Sequence, residues 1–194
     1  CSQFASESHS MTSTATNYTL RQAIGIVGCI SPWNLPLYLF TWKIAPALAA
    51  GNCVIAKPSE ITPKTAALLG KICQASGLPK GVLNILHGTG ANVGSAICDH
   101  KKIKAISFTG GTTTGASIAT QLAPQFKKLS LELGGKNPAL VFADCDFEST
   151  VERVFRASFA NQGQICLCAS RIYIERSIYE KFKQALVEKA QSLQ

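Results

Sequence analysis

The sequence predicts an α/β fold in which a parallel sheet carries helices on both faces and is followed by the start of a second α/β unit. Two observations predict it. Strand-like and helix-like segments alternate along most of the chain, and the strand-like segments are short, continuously apolar runs rather than alternating ones. Continuous apolar strands belong to sheets buried on both sides, and strand–helix alternation delivers the crossovers that parallel pairing needs. Residues 1–17 are polar and Ser/Thr-rich, poor material for a core, and residues 18–23 read as an extended arm. A first strand is expected over 24–30, ending in Ser31-Pro32. A helix follows over 37–50, closed by Gly51 at the position where a left-handed residue ends a helix. The second strand is expected over 52–56. The next helix covers 63–76, with Thr62 as N-cap, Pro63 at its first position and Gly77 after its end. The third strand covers 82–86 and leads into His87-Gly88-Thr89-Gly90 and a helix over 91–98. The fourth covers 105–108 and leads into Thr109-Gly110-Gly111-Thr112 and a helix over 113–122. The fifth covers 127–133.

The pattern changes after Gly134-Gly135. A strand over 138–142, an amphipathic helix over 147–161, a strand over 171–175 and a helix over 178–193 form a second unit. That unit has too few elements to bury both faces of its strands. The expected organisation is a polar segment and arm over 1–20, a Rossmann-like sheet domain over 21–133, and the incomplete beginning of another domain over 134–194.

Composition narrows the classes. With 46% hydrophobic and 15% charged residues in 194, the chain reads as globular rather than disordered. The net charge of +8 is spread out, with Lys101-Lys102 and Lys127-Lys128 as the doublets, so it argues for a solvated basic face and not for a nucleic-acid surface. Such a surface would also tolerate an anionic ligand. The eight cysteines lie mostly in apolar runs, where Cys acts as a small hydrophobe, and this fits a reducing compartment, the cytoplasm. Cys166 and Cys168 lack the second ligand pair that a zinc site needs, so no metal is expected. No run of eighteen apolar residues offers a membrane span. Both ends read as cut, because the chain starts at Cys1 and stops within a helical pattern at Gln194. A targeting segment upstream would then lie outside it.

Chemistry concentrates at the strand ends, where open parallel sheets bind ligands. The first strand ends in Ser31-Pro32-Trp33-Asn34 and the second in Lys57-Pro58-Ser59-Glu60. The third leads to Gly90 and Gly94, the fourth to Gly110, Gly111 and Gly115. Glycines there let backbone N–H groups and a helix N-terminus face a phosphate, while Lys57 and Glu60 suit ribose hydroxyls. No run is the strict G-x-G-x-x-G fingerprint, and each by itself fits a tight turn equally well. Asn34 lies between Pro32 and Pro36, where its amide suits either a turn or an oxyanion. Cys166 is a thiol on a Gly-containing loop after a helix, and Glu132 a carboxylate at a strand end. Nucleophile and general base are the minimum for covalent catalysis on a carbonyl. The histidines His9, His87 and His100 share no pattern with Cys166, which leaves Glu132 as the preferred base.

Taken together, Ser31-Pro-Trp-Asn-Leu-Pro36, Lys57-Pro-Ser-Glu60, Phe108-Thr-Gly-Gly-Thr112, Leu131-Glu-Leu-Gly-Gly-Lys136 and Gly163-Gln-Ile-Cys166 resemble the NAD(P)-dependent aldehyde dehydrogenases in order and spacing. The resemblance implies that family's fold, here incomplete. It implies oxidation of an aldehyde to an acid, with Cys166 as nucleophile, Asn34 as oxyanion donor and Glu132 as the base that activates water. It implies NAD held by Ile30, Ser31, Pro32 and Trp33, by Lys57, Ser59 and Glu60, and by Gly90 and Gly94. Phe108, Thr109, Gly110, Gly111, Thr112 and Gly115 would follow the pyrophosphate, and Leu133 and Gly134 would complete the site. Glu60 favours NAD over NADP, because it would repel a 2′-phosphate. One departure is Gly111, where the family usually has Ser; a hydroxyl contact to phosphate is lost while the backbone can still approach. Pro32-Trp-Asn-Leu-Pro-Leu-Tyr38, Trp42-Lys43 and Gly163-Gln-Ile-Cys-Leu-Cys168 are most similar to the members acting on small unsaturated acid semialdehydes. The implied partner is a small aldehyde, and the full-length parent would be a homo-oligomer. Two other readings remain at this point. One is a truncated, inactive fragment that at most binds nucleotide, unstable by itself. The other is a thiol hydrolase, against which the Lys57…Glu60 pair and the glycine-rich strand ends argue.

Overall fold

The computed structural model describes residues 7–193. The first six residues of the expected polar segment and the terminal Gln194 lie outside the described residues. The chain divides into two compact units, Cys1–Glu132 and Leu133–Gln194.

In the first unit, five strands form a sheet in the order β5-β4-β3-β6-β7: β3 (Ile26–Ile30), β4 (Cys53–Lys57), β5 (Leu83–Ile85), β6 (Ile103–Gly110) and β7 (Lys128–Leu133). β3 pairs in parallel with both β4 and β6, and β4 with β5. Side chains alternate between faces along β3. Cys29 joins a core with Phe40 and Ile44 of α1 (Pro36–Ala49), Val54 and Ala56 of β4, and Ala66 of α2 (Pro63–Ala75). The opposite face at Gly28 meets Ile106 and Ile97, the latter on α3 (Ser95–Asp99). Ile118 and Leu122 of α4 (Thr112–Leu122) are buried as well. Each large side chain so buried stabilises the unit by roughly 1.5–3 kcal/mol. α1 ends as its glycine indicates: Gly51 takes φ 82° and its N–H donates to the Leu48 carbonyl.

Four local expectations are corrected. The polar segment and the start of the expected arm form a two-stranded antiparallel hairpin, β1 (Glu7–Thr12) with β2 (Ala15–Thr19), whose β2 is exposed throughout. Alternation was invisible because neither face is apolar. Thr62 does precede α2, yet its hydroxyl makes no cap and is buried without a partner. The expected helix over 91–98 is divided into a π-helical turn, Gly90–Gly94, and the short α3, because Thr89 caps the turn by accepting from Asn92 N at 3.4 Å. The amphipathic helix of the second unit stops at Phe159 rather than at 161.

The second unit pairs β8 (Asn137–Val141) in parallel with β9 (Ala169–Ile174) and packs α5 (Phe147–Phe159) and α6 (Tyr179–Gln191) against them. Val141, Val151, Val154 and Phe182 form its core. Asp146 caps α5 by accepting from Ser149 N at 3.0 Å. Leu140 and Tyr173, paired across the two strands, remain 64% and 55% exposed, so the helices cover one face of this ribbon and leave the other bare. Among the described residues no helix is long and apolar enough to cross a membrane, and no group of three His, Cys, Asp or Glu could hold a metal ion. The seven cysteines of the described residues are free thiols.

Candidate active site

In the first unit the strand order reverses direction at β3, whose neighbours β4 and β6 follow it on opposite sides. Such a switch point opens a crevice at the carboxyl ends of the strands. Register puts Ile30 beside both Lys57 and Phe108 there. A cleft of about 290 Å³ is lined by Ile30, Gly90, Gly94 and Phe108, all singled out from the sequence, together with Thr114, Ser117 and Gln121, which were not. Thr114 and Ser117 are exposed and Gln121 half-buried on α4, where a polar helical residue carries no signal of its own.

Two features suit this cleft to a nucleotide. The Ser31 hydroxyl at the end of β3 is buried without a hydrogen-bond partner. α4 starts at Gly111 with no side-chain cap, so its first N–H groups and the positive end of its dipole stay available to an anion. A Cβ at Gly111 would meet nothing within 4 Å, whereas one at Gly110 would lie 2.5 Å from the Phe108 ring. Gly110 is therefore required by the protein's own packing, and the Ser-to-Gly departure at Gly111 leaves open space. Thr109 is buried beside them, Thr112 opens α4, and Gly115 is buried on it.

Lys57 is 2% exposed and donates to the Pro58 carbonyl at 2.9 Å and to Glu60 Oε2 at 3.2 Å. A backbone N–H and this lysine bond hold the Glu60 carboxyl below the usual carboxylate range. The stabilisation is therefore present above the ordinary carboxylate pKa and lost as pH falls through the lower folded value. Ser59 is buried, and its hydroxyl accepts from Ile61 N at 3.3 Å, bracing the turn. Pro32 and Asn34 are half-buried and Trp33 is exposed, in the turn that leads to Pro36 at the start of α1.

Lys43, named from the sequence only within the Trp42-Lys43 resemblance, is a buried charge. It is 6% exposed on α1 and donates to Ser107 Oγ at 3.2 Å. Burial pushes its ammonium down, opposed by the charges of Cys29 and Glu132. Glu132 itself is solvent-exposed near the end of β7.

Leu133, Gly134 and Cys166 belong to the second unit. After α5 the chain passes through three consecutive left-handed residues, Asn161 (φ 51°), Gln162 (φ 60°) and Gly163 (φ 72°), before the half-buried Cys166. Two non-glycine residues in that region represent stored backbone strain, which persists only where surroundings enforce it. Further along the loop Asn137 anchors the cysteine itself, donating Nδ2 to the Cys166 carbonyl at 2.7 Å and reaching the Cys168 carbonyl at 3.5 Å. A Cβ on Gly135 would make ordinary contact, 3.7 Å from the same Cys166 carbonyl, and one on Gly134 would meet nothing within 4 Å, so neither glycine is demanded by packing against the loop. The Cys168 thiol is buried and directed at the Ala160 carbonyl, 3.7 Å away. Asn137 escaped the sequence reading although it directly follows Lys136; its spacing from Cys166 gives no local signal.

The family model described as the aldehyde dehydrogenase family matches residues 1–194. The chain belongs to that family. It is 55% identical over 172 residues to the 2-aminomuconic semialdehyde dehydrogenase of Danio rerio, covering 89% of this chain and 35% of the relative. It is 50% identical over 180 residues to the 2-hydroxymuconic semialdehyde dehydrogenase of Pseudomonas putida, covering 92% and 37%. An aldehyde dehydrogenase from Bacillus cereus, solved as its NAD+ complex, superposes with a TM-score of 0.93 at 36% identity over 100% of this chain and 39% of that one. The chain thus spans well under half the length of these aldehyde dehydrogenases, and it carries the parallel sheet and the cysteine loop of their fold.

Asn137→Ala in the full-length protein is expected to free the Cys166 loop. Loss of the bond to a half-buried carbonyl costs about 0.5–1.5 kcal/mol of stability, and a loop displaced by about 1 Å lowers kcat by up to about 10²-fold. Steady-state kinetics beside thermal unfolding checks this; an unchanged kcat removes Asn137 from loop positioning.

Proposed function

We propose that this chain is the cofactor-cleft and nucleophile-bearing part of an NAD-dependent aldehyde dehydrogenase that oxidises a small acid semialdehyde to the corresponding diacid. The anchored Cys166 loop carries the reading: a thiol that follows a turn of left-handed residues, its own carbonyl gripped by Asn137. The similarity to the two muconic semialdehyde dehydrogenases supports the substrate class.

In this reading the Cys166 thiolate attacks the aldehyde carbon to give a thiohemiacetal, and the Asn34 amide and the Cys166 N–H donate to its oxyanion. NAD, when bound, would supply the hydride acceptor that this oxidation needs, and loss of hydride from the thiohemiacetal on Cys166 would leave a thioester. Glu132 then takes a proton from water, which hydrolyses the thioester and returns the thiol. Ile30, Ser31, Phe108 and the uncapped start of α4 hold the dinucleotide, and Lys57 with Glu60 meets the adenosine ribose. The Glu60 carboxylate selects NAD over NADP by repelling a 2′-phosphate. The full-length protein acts as a homo-oligomer in the cytoplasm.

The test is reduction of NAD, followed by nicotinamide absorbance, with 2-aminomuconic or 2-hydroxymuconic semialdehyde and the full-length protein. Reduction supports the reading, and its absence with either aldehyde overturns it. A second expectation follows for Glu132→Gln: steady-state turnover falls by about 10²- to 10⁴-fold while the pre-steady-state burst of reduced nicotinamide survives. Normal turnover after the burst contradicts the base assignment.

A further inference from the structure

The cleft at the strand ends lies wholly within the first unit, and Gln121 gives it a chemical preference of its own. Thr114, Ser117, Ile118 and Gln121 stand at i, i+3, i+4 and i+7 of α4, so they share the face that forms one wall. The small Gly90, Ala91 and Gly94 form much of the other wall and leave room for a flat ring. Ile118 and Cys98, both buried, contribute apolar surface. Gln121 comes nine residues after Thr112, the first residue of α4, which is about 13 Å along the axis. Its side chain leans back over the preceding turn. That is about the length of a nucleoside measured from a phosphate at the helix start. The Gln121 amide is held in one orientation. Nε2 donates to Asp99 Oδ1 at 2.6 Å and reaches Ser95 Oγ at 3.5 Å. A carboxylate only accepts, so the nitrogen and not the oxygen must face Asp99. What the side chain then offers the cleft is its carbonyl oxygen, an acceptor.

A flat ring with a hydrogen-bond donor on its outer edge matches this arrangement, and the 6-amino group of a purine is such a donor. A 6-oxopurine would set carbonyl against carbonyl, close to the Asp99 carboxylate, and would leave both acceptors without a proton. We propose that the Gln121 side-chain carbonyl accepts from the 6-amino group of the dinucleotide's adenine, so that this cleft selects adenine over a 6-oxopurine. The proposal rests on the NAD reading above and names the residue that recognises the base.

The experiment is calorimetric titration of the full-length protein with NAD and with nicotinamide hypoxanthine dinucleotide, which differ at the purine 6-position and its neighbouring ring nitrogen. No aldehyde is present, so the readout is affinity rather than turnover. NAD is expected to bind about 10-fold more tightly, the weight of a hydrogen bond made with one base and an opposed pair of acceptors with the other. Gln121→Met keeps the length and helix propensity of the side chain without its amide. It is expected to weaken NAD binding about 3- to 10-fold and to bring the two dissociation constants within about 2-fold of each other. Equal affinity of the wild-type protein for both dinucleotides overturns the proposal. A Gln121→Met protein in which both weaken alike and the preference persists also overturns it, since that is the behaviour of a residue that only clasps α3 to α4. The wild-type comparison needs no variant, so it decides the question even where the variant fails to fold. Failure of the wild-type protein to bind either dinucleotide overturns the NAD reading and the proposal with it, whereas binding without preference overturns the proposal alone.

Discussion

Replacing Cys166 by alanine is expected to lower aldehyde oxidation by the full-length protein by about 10⁴-fold or more, the scale seen when a covalent nucleophile is removed. NAD affinity should stay within about 2-fold, because the groups proposed to hold it are the Ser31 hydroxyl, Gly111 and the start of α4 and not the Cys166 thiol. Titration of NAD binding beside a turnover assay separates the two effects. The loop is held through the Cys166 backbone carbonyl, so the substitution leaves the Asn137 bond in place. Retained oxidation would remove Cys166 from the mechanism. Loss of NAD binding in parallel would mean that the thiol contributes to cofactor affinity.

The second large effect is on stability. Gly28→Val is expected to destabilise the protein by about 3 kcal/mol, at the upper part of the range for overpacking. A Cβ at Gly28 would lie 2.6 Å from Ile106 Cδ1 and 2.6 Å from Ile97 Cγ2. Both neighbours are almost fully buried, and Ile106 is fixed in a strand that pairs with β3 on this side. Neither can retreat without disturbing the packing of α3 on β6. The midpoint of chemical denaturation checks it, and a shift equivalent to less than about 0.5 kcal/mol would show that the sheet tolerates a side chain there. The cost is one of close approach rather than of glycine conformation.

The sheet domain was legible because its signals are local. The runs around Cys29 and Val54 are apolar on both faces, and their flanking residues are turn formers. Gly51 and Gly77 mark helix ends through a positive φ that a single residue type favours. The hairpin over Glu7–Thr19 was missed because period-two reading needs an apolar face, and this one has none. The division of the helix at Gly90–Gly94 was missed because Thr89 competes for the backbone, a contest that composition does not reveal. Thr62 stands where a cap belongs, yet its hydroxyl makes no cap bond and is buried without a partner. The sequence alone also left each glycine run balanced between a turn and a phosphate cradle. The register of Ile30 with Lys57 and Phe108 brings those strand ends together in one cleft.

What the sequence determined by itself is the set of chemical groups and the elements that bear them: a thiol after a helix, a carboxylate near the end of a strand, glycines at strand ends, and alternating segments that pack as a parallel sheet. Periodicity, capping and turn chemistry act between residues close in the chain, so they can be read along it. The tertiary structure decided the long-range relations. It closed Asn137 on the Cys166 loop twenty-nine residues away, buried Lys43 against Ser107, and tucked Phe108 under Gly110. Each of these depends on which surfaces meet when apolar area is buried. That choice is made by the packing of the chain as a whole, where one residue's partner lies dozens of positions away and leaves no mark in its local sequence.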